Sequence, residues 1–387
     1  MRLLWVPHAP LGSGRSRTEH LVERLARKHE VSVLSFRSHR RKEIWHYFVD
    51  LFTHRTKWNG LYREVAMWRF PKLPGLNERI FRRILRRELD DRNYDAVILT
   101  PAAYMIGQPD FAELKGKCAV VCDYLDGGHW ATEAEVTGFE RSFVTSADAV
   151  LCVSRGLQQQ AIALNPASHY VPNGVERARY ENYRLSRSTA ECKIDLGITP
   201  ETYVVSIIGM TCSPHLYFVD AITELARKGR NIVLLLVGET NLRNTIEGRM
   251  RGQASAVRLI GPVPYAKILT YFMASDLGLY AVDDIPYFHL ATPLKIFEYG
   301  AMHKLTLVAP RLQEVTAMKL PFVRFCEANA EALAASIEQI MDERPETAFA
   351  LPEQYDWDFL AGQTESIIAS AIEGRRTGRD GSVASSS

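Results

Sequence analysis

Short, wholly apolar runs alternate with amphipathic stretches along most of the chain, and that alternation leaves few folds open. Val31–Phe36, Ala96–Thr100, Cys118–Cys122 and Ala149–Val153 are such runs in the first half, after the opening Met-Arg-Leu-Leu-Trp-Val. A strand apolar on both faces has to be covered on both faces. Leu21, Leu25 and the charged residues between them read as a helix joining the first two strands. A second set follows: Tyr203–Ile208, Ile232–Val237, Val257–Ile260, Leu277–Tyr280 and Leu305–Val308. Helical stretches at Phe218–Lys228, Leu242–Arg251, Tyr265–Ala274 and Pro293–Met302 separate them. Strand–helix–strand alternation predicts parallel sheets layered with helices. The fold class expected is therefore α/β, with two Rossmann-like domains whose parallel sheets face a cleft.

The pattern weakens over the polar stretch Glu176–Thr202, which places the domain boundary near residue 180. The expected division is 1–180, 181–355, a terminal helix over 356–373, and a disordered tail over 374–387 that has lost all apolar periodicity. A length of 387 residues suits two domains. Apolar residues at 47% and charged residues at 24% exclude a disordered, collagenous or coiled-coil chain. A net charge of +2 excludes a nucleic-acid binder by bulk charge. Six scattered cysteines with no Cys-x-x-Cys pair encode neither a zinc ribbon nor a disulfide framework, so free thiols in a reducing cytosol are expected. No apolar run reaches the roughly 20 residues that span a bilayer, and the opening apolar stretch is too short for a signal peptide. The chain is expected to be soluble or to sit on a membrane.

The segment Ala291-Thr-Pro-Leu-Lys-Ile-Phe-Glu-Tyr-Gly-Ala-Met302 carries the most chemistry. Thr292 suits an N-cap and Pro293 the first helical position. The free N–H groups of that first turn, Leu294 included, attract an anion. Lys295 opposes the helix dipole there unless a phosphate lies between them. Glu298, one turn on, suits the two hydroxyls of a ribose. The plain alternative is a Lys295–Glu298 surface pair.

Pro-x-Lys-x-x-Glu-Tyr after a strand, in the second of two such sheets, resembles the nucleotide-sugar site of family-4-like glycosyltransferases of the GT-B fold. Ser146–Arg155, Tyr170–Val175, Val257–Pro262 with Tyr271–Tyr280, and Tyr355–Trp357 resemble further segments of that family in the same order. The resemblance spans residues 1–373. It implies donor contacts from Glu298, Thr292, Pro293, Leu294, Gly209, Thr211, Gly238, Val263, Tyr280 and Tyr299. The family's Arg and Lys clamp after the first strand of the second domain is replaced by Gly209-Met-Thr-Cys-Ser-Pro-His-Leu216, and Leu290 stands where a second Glu is common. Lys295, Thr211, Ser213 and backbone N–H groups then take over the diphosphate.

Gly12, Ser13 and Gly14 join the first strand to the first helix and form the phosphate or acceptor loop; a plain tight turn is the alternative. Asp126 is the base candidate for an acceptor hydroxyl, with Asp123 and His129 behind it; an Asx turn with a surface His is the alternative. Catalytic roles thus fall to Asp126, His129 and Lys295. Asp283-Asp284 is the only acidic doublet near the second-domain site, and no metal or cofactor is expected. Residues 37–92 hold fifteen Lys and Arg against seven Asp and Glu, interleaved with aromatics. That composition suits anionic lipid headgroups at the cytoplasmic membrane face better than nucleic acid, with a solvated helical face as the bland reading.

The function expected is transfer of a sugar from a nucleoside-diphosphate sugar to an acceptor hydroxyl on a glycan or lipid-linked acceptor, in polysaccharide or glycolipid synthesis. The rivals are a nucleotide-sugar epimerase of the same fold and a non-catalytic binding module.

Overall fold

The computed structural model describes residues 1–7, 11, 16–37, 56–58, 60–68, 74–101, 111–125, 133–250, 252–347 and 349–384. The chain is α/β and divides into two compact units, residues 1–172 with 357–387, and residues 173–356.

Unit 1 is an eight-stranded sheet. Its strands are β1 (Arg2–Val6), β2 (Glu30–Arg37), β3 (Thr56–Trp58), β4 (Arg63–Trp68), β5 (Ala96–Leu99), β6 (Ala119–Tyr124), β7 (Ala149–Cys152) and β8 (Ser168–Tyr170). They lie in the order β3-β4-β2-β1-β5-β6-β7-β8, parallel except for the β3–β4 pair. The apolar runs of β1, β5, β6 and β7 are buried, as strands covered on both faces must be. The helix Arg17–Leu25 starts at a capping box in which Ser16 and Glu19 satisfy each other's backbone N–H groups.

Unit 2 is a six-stranded, all-parallel sheet of β9 (Tyr203–Ile208), β10 (Ile232–Val237), β11 (Val257–Gly261), β12 (Leu277–Ala281), β13 (Leu305–Ala309) and β14 (Val323–Phe325), ordered β11-β10-β9-β12-β13-β14. Alternate residues of β9 feed two cores: Val205 and Ile207 pack with Phe218, Ile222 and Leu225, whereas Val204 and Ile208 pack with Phe272, Phe297 and Tyr299. Each fully buried aliphatic side chain contributes roughly 1.5–3 kcal/mol. Strand order reverses at β9, so the ligand crevice of this sheet lies at the carboxyl ends of β9 and its neighbours.

The structure departs from the sequence reading in three ways. The boundary does not fall near residue 180 but between 172 and 173: the polar stretch 176–202 forms the helices Arg177–Ser186 and Thr189–Asp195 within unit 2, the second opened by a capping box at Ser188. The edge strands β3, β8 and β14 are each three residues long, too short to show periodicity. The terminal helix runs from Trp357 to Ala384 instead of ending at Glu373. Apolar burial holds its first turns, and ion pairs Arg375–Asp148 (3.7 Å) and Arg376–Asp95 (3.2 Å) continue where that periodicity stops.

This helix is anchored on unit 1 by Trp357, which is 1% exposed and stacked on His20 at 4.9 Å, and by Arg24–Asp358 at 2.7 Å. We expect Trp357→Ala to lower unfolding free energy by about 3–5 kcal/mol. Urea denaturation followed by circular dichroism measures this, and a loss under 1 kcal/mol on the same estimate would mean that the helix does not stabilise unit 1.

Candidate functional site

The geometry of unit 2 starts with two glycines. Gly209 follows β9 at φ +138° and Gly238 follows β10 at φ +142°, conformations that side chains oppose. A Cβ on Gly238 would lie 1.9 Å from the Gly209 carbonyl oxygen, so the two loop backbones meet only because neither carries a side chain. Gly209 N–H donates to Val237 O (2.8 Å), Gly238 N–H to Gly261 O (2.9 Å) and Thr211 N–H to Glu239 O (3.0 Å), rolling three strand ends over together. Above them opens a cavity of about 650 Å³ lined by Thr211, Ser213, Gly238, Glu239, Arg243 and Pro262, among others.

Lys295 comes to this end of the sheet. A Cβ on Gly209 would be 3.9 Å from Lys295 Cε. The helix carrying it runs Leu294–Ala301, one position later than the sequence suggests. Pro293 is the N-cap with ψ 125° and no side-chain cap. Thr292 does not cap; it is buried, and its carbonyl accepts from Asn173 Nδ2 at 2.7 Å. An N-terminus without a side-chain cap keeps first-turn N–H groups for an anion.

Lys295 Nζ donates to Glu298 Oε2 at 2.6 Å, while Glu298 Oε1 accepts from the Tyr180 hydroxyl at 2.6 Å. Lys295 keeps about a third of its side chain exposed, Glu298 only a tenth. Burial pushes the Tyr180 hydroxyl well up, with the Glu298 charge adding, so Tyr180 stays protonated and donates. Each Glu298 oxygen retains a further lone pair to accept a ligand hydroxyl. The pair is therefore oriented and partly wet, more than a loose surface contact.

Other expected donor contacts are placed differently. Tyr299 is fully buried: its hydroxyl donates to Ser206 O (2.8 Å) and its ring fills the space beside Gly278, where a Cβ would come within 2.6 Å. It holds the helix against the sheet and does not face the cavity. Val263 and Tyr280 pack against the same core as Phe272, and it is Pro262 that reaches the cavity. Glu239, Thr240 and Arg243 line the cavity without having been singled out in the sequence. Their only signal is position directly after an apolar strand. Tyr180 lies 118 residues from Glu298 and carries no local signal.

Where the family's clamp would stand, Cys212 and His215 make a neutral pair. His215 Nδ1 accepts from Cys212 N–H (3.0 Å) and lies 3.2 Å from Cys212 Sγ. Burial pushes His215 down to about 4. Asp284 of the acidic doublet lies 2.8 Å from His289. Among the described residues, no group of three or more His, Cys, Asp or Glu is placed to hold a metal ion.

In unit 1, Asp126, His129, Gly12, Ser13 and Gly14 lie outside the described residues. Their neighbours are described. Arg17 and Asp123, both buried, pair at 3.1 Å, and Arg17 Nη1 donates to Pro172 O at 2.7 Å. Asp123 is thereby committed to fixing the start of the first helix. Removing one member of such a pair costs about 3–5 kcal/mol.

Residues 15–179 match the family model Glycosyltransferase Family 4. A glycosyltransferase from Rickettsia africae has the same fold at 15% identity, covering 96% of this chain and 98% of its own, with a TM-score of 0.65. WaaG, a glycosyltransferase involved in lipopolysaccharide biosynthesis, matches at 13% identity over 96% and 98%, TM-score 0.63. The UDP-GlcNAc 2-epimerase of Neisseria meningitidis, solved with UDP-GlcNAc, matches at 15% over 96% and 100%, TM-score 0.60. No curated protein matches the chain by sequence. The Glycosyltransferase Family 4 signature thus covers residues 15–179, and the architecture is that of the GT-B fold.

His215 gives a pH test of this site. The unfolded chain protonates it near 6.5 and the folded chain only near 4, so stability is lost as pH falls between those values. The limiting slope is about 1.4 kcal/mol per pH unit. Urea unfolding of wild type and His215→Asn from pH 7 to 4.5 should show the difference between them closing along that slope; parallel curves would show His215 is not buried uncharged.

Proposed function

We propose that the chain transfers a hexosyl group from a nucleoside-diphosphate sugar to an acceptor hydroxyl, in the synthesis of a cell-surface polysaccharide or glycolipid. The observation that carries this is the Lys295–Glu298 pair, oriented by Tyr180 and set beside the Gly209–Gly238 floor. Glu298 accepts the hydroxyls of the donor ribose. Lys295, the uncapped helix start and Thr211 face the diphosphate, where negative charge grows as the sugar leaves. A preformed cation there costs no reorganisation during the reaction. Asp126 takes the acceptor proton, with His129 supporting the donor sugar. The reading needs no metal and no cofactor. Anabaena HepE has this fold at 13% identity and was solved with UDP, which supports a uridine donor.

We expect Lys295→Ala and Glu298→Ala each to lower kcat/KM by about a hundredfold or more, the scale of a lost charge-stabilising donor, with circular dichroism unchanged. Asp126→Asn, read in the same assay, should lose the acidic limb of its pH profile, where activity falls as the base is protonated. Full activity in the first two variants would remove the site assignment. The epimerase reading is favoured by fold matches to UDP-GlcNAc 2-epimerases, that of Neisseria among them. A proton NMR time course separates the two, because an epimerase converts donor without acceptor.

The membrane half of the proposal rests on the helix Pro74–Asp91. Phe81, Leu85 and Leu89 are buried on one side, while Arg79, Arg82, Arg83, Arg86 and Arg87 are exposed on the other. Arg86 pairs with Glu113 and Arg87 with Asp91; Arg79, Arg82 and Arg83 have no ion-pair partner among the described residues. Among those residues no helix is long and apolar enough to cross a membrane. Near an anionic surface each such arginine would contribute about 1 kcal/mol, which supports a position on the inner face of the cytoplasmic membrane. Neutralising Arg79, Arg82 and Arg83 together should weaken sedimentation with phosphatidylserine vesicles by about a hundredfold. Unaltered sedimentation would sink the membrane assignment and leave the donor site untouched.

A further inference from the structure

Unit 2 has a second polar cavity at the opposite end of its sheet. About 1040 Å³ in volume, it opens at the amino ends of β9, β12 and β13 and is lined by Lys193, Arg230, Lys304 and Arg344, with Thr202 and Asn231 between them. Carboxylates are present as well: Glu201, Asp276 and Asp342 line the same space.

Two of those acids are already used. Asp276 Oδ2 accepts from Lys193 Nζ (2.6 Å) and from Val204 N–H (2.7 Å), and Asp342 pairs with Arg230. Lys193 is fully served, with Pro200 O at 3.2 Å and Thr202 O at 2.9 Å as its other acceptors. Lys304 is not. It is 8% exposed, and its one acceptor among the described residues is Thr189 Oγ1 at 2.9 Å, although an ammonium carries three N–H donors. Buried donors normally find partners, and each one left over costs roughly 1–3 kcal/mol. Arg344, in the left-handed conformation that ends the helix Ala330–Glu343, is exposed at the rim without an ion-pair partner among the described residues.

We propose that this cavity binds a small phosphate-type oxyanion, which gives Lys304 its missing acceptors and meets Arg344 at the rim. The Lys304 surroundings agree. Burial pushes its amine down to about 8, Asp276 opposing and Lys193 adding, as expected of a cation waiting for a counter-charge. The cavity does not belong to the donor site, since Gly209, Gly238 and Lys295 lie at the carboxyl end of the sheet. It is joined to that site covalently: the helix Leu294–Ala301 ends three residues before Lys304, whose N–H donates to Tyr299 O at 2.9 Å.

The test uses inorganic phosphate replacing chloride at constant ionic strength. Wild type should show a melting temperature that rises with phosphate concentration. Lys295→Ala, which alters the donor site, should respond like wild type. Lys304→Met, an apolar replacement of similar length, should bind phosphate about tenfold more weakly or worse. Nitrogen-15 NMR of wild type labelled at lysine Nζ supplies a second readout that needs no variant of Lys304. Phosphate should shift one buried amine and raise its titration midpoint from about 8 towards the usual lysine value. A melting response equal in wild type and Lys304→Met, or no amine shifted by phosphate, overturns the proposal. A response lost in Lys295→Ala and kept in Lys304→Met assigns the anion to the donor pocket and also overturns it.

Discussion

The backbone contact between Gly238 and Gly209 governs the carboxyl end of the unit-2 sheet. With a Cβ only 1.9 Å from a carbonyl oxygen, any other residue at 238 would push two strand ends apart. Both glycines also hold φ values near +140°, so space and torsion select the same residue. The contact lets the loops after β9 and β10 share hydrogen bonds, as Thr211 N–H does with Glu239 O. It also keeps the floor low enough for Lys295 to extend over Gly209. A flat, side-chain-free floor suits a diphosphate, which needs close backbone approach more than it needs shape.

Lys295 and Glu298 were legible because spacing alone puts them on one helix face, and because a cation in a first helical turn is an anomaly that asks for an anion. Tyr299 was misread because adjacency in a motif says nothing about direction. One residue further round the helix, its side chain points into the sheet, against Ser206 and Phe272. Tyr180 was illegible for a different reason: its bond to Glu298 joins parts of the chain 118 residues apart, and no local pattern encodes it. The long apolar strands β9, β10 and β13 could be read from composition, whereas the three-residue edge strands could not. The boundary was placed too late because the helix Arg177–Ser186 turns a polar surface outward and buries only Tyr180.

The missing clamp has an electrostatic consequence. His215 sits where a cation would be expected, but burial keeps it neutral at pH 7, so it brings no charge to a diphosphate. The positive charge near the cavity then comes from Lys295 and from Arg243, whose one ion-pair partner among the described residues is an exposed Glu247 at 3.4 Å. An exposed pair of that kind holds by less than about 1 kcal/mol, so Arg243 is available to a stronger acceptor. Lys295 is held harder, by a carboxylate that Tyr180 already orients. On the proposed reading, one fixed and one movable cation divide the work: Lys295 would define where a phosphate sits, and Arg243 would add charge only when a ligand offsets leaving Glu247. Two-arginine or arginine–lysine clamps fix both charges in advance. This chain fixes one, and the low, rigid glycine floor supplies the remaining definition through the backbone.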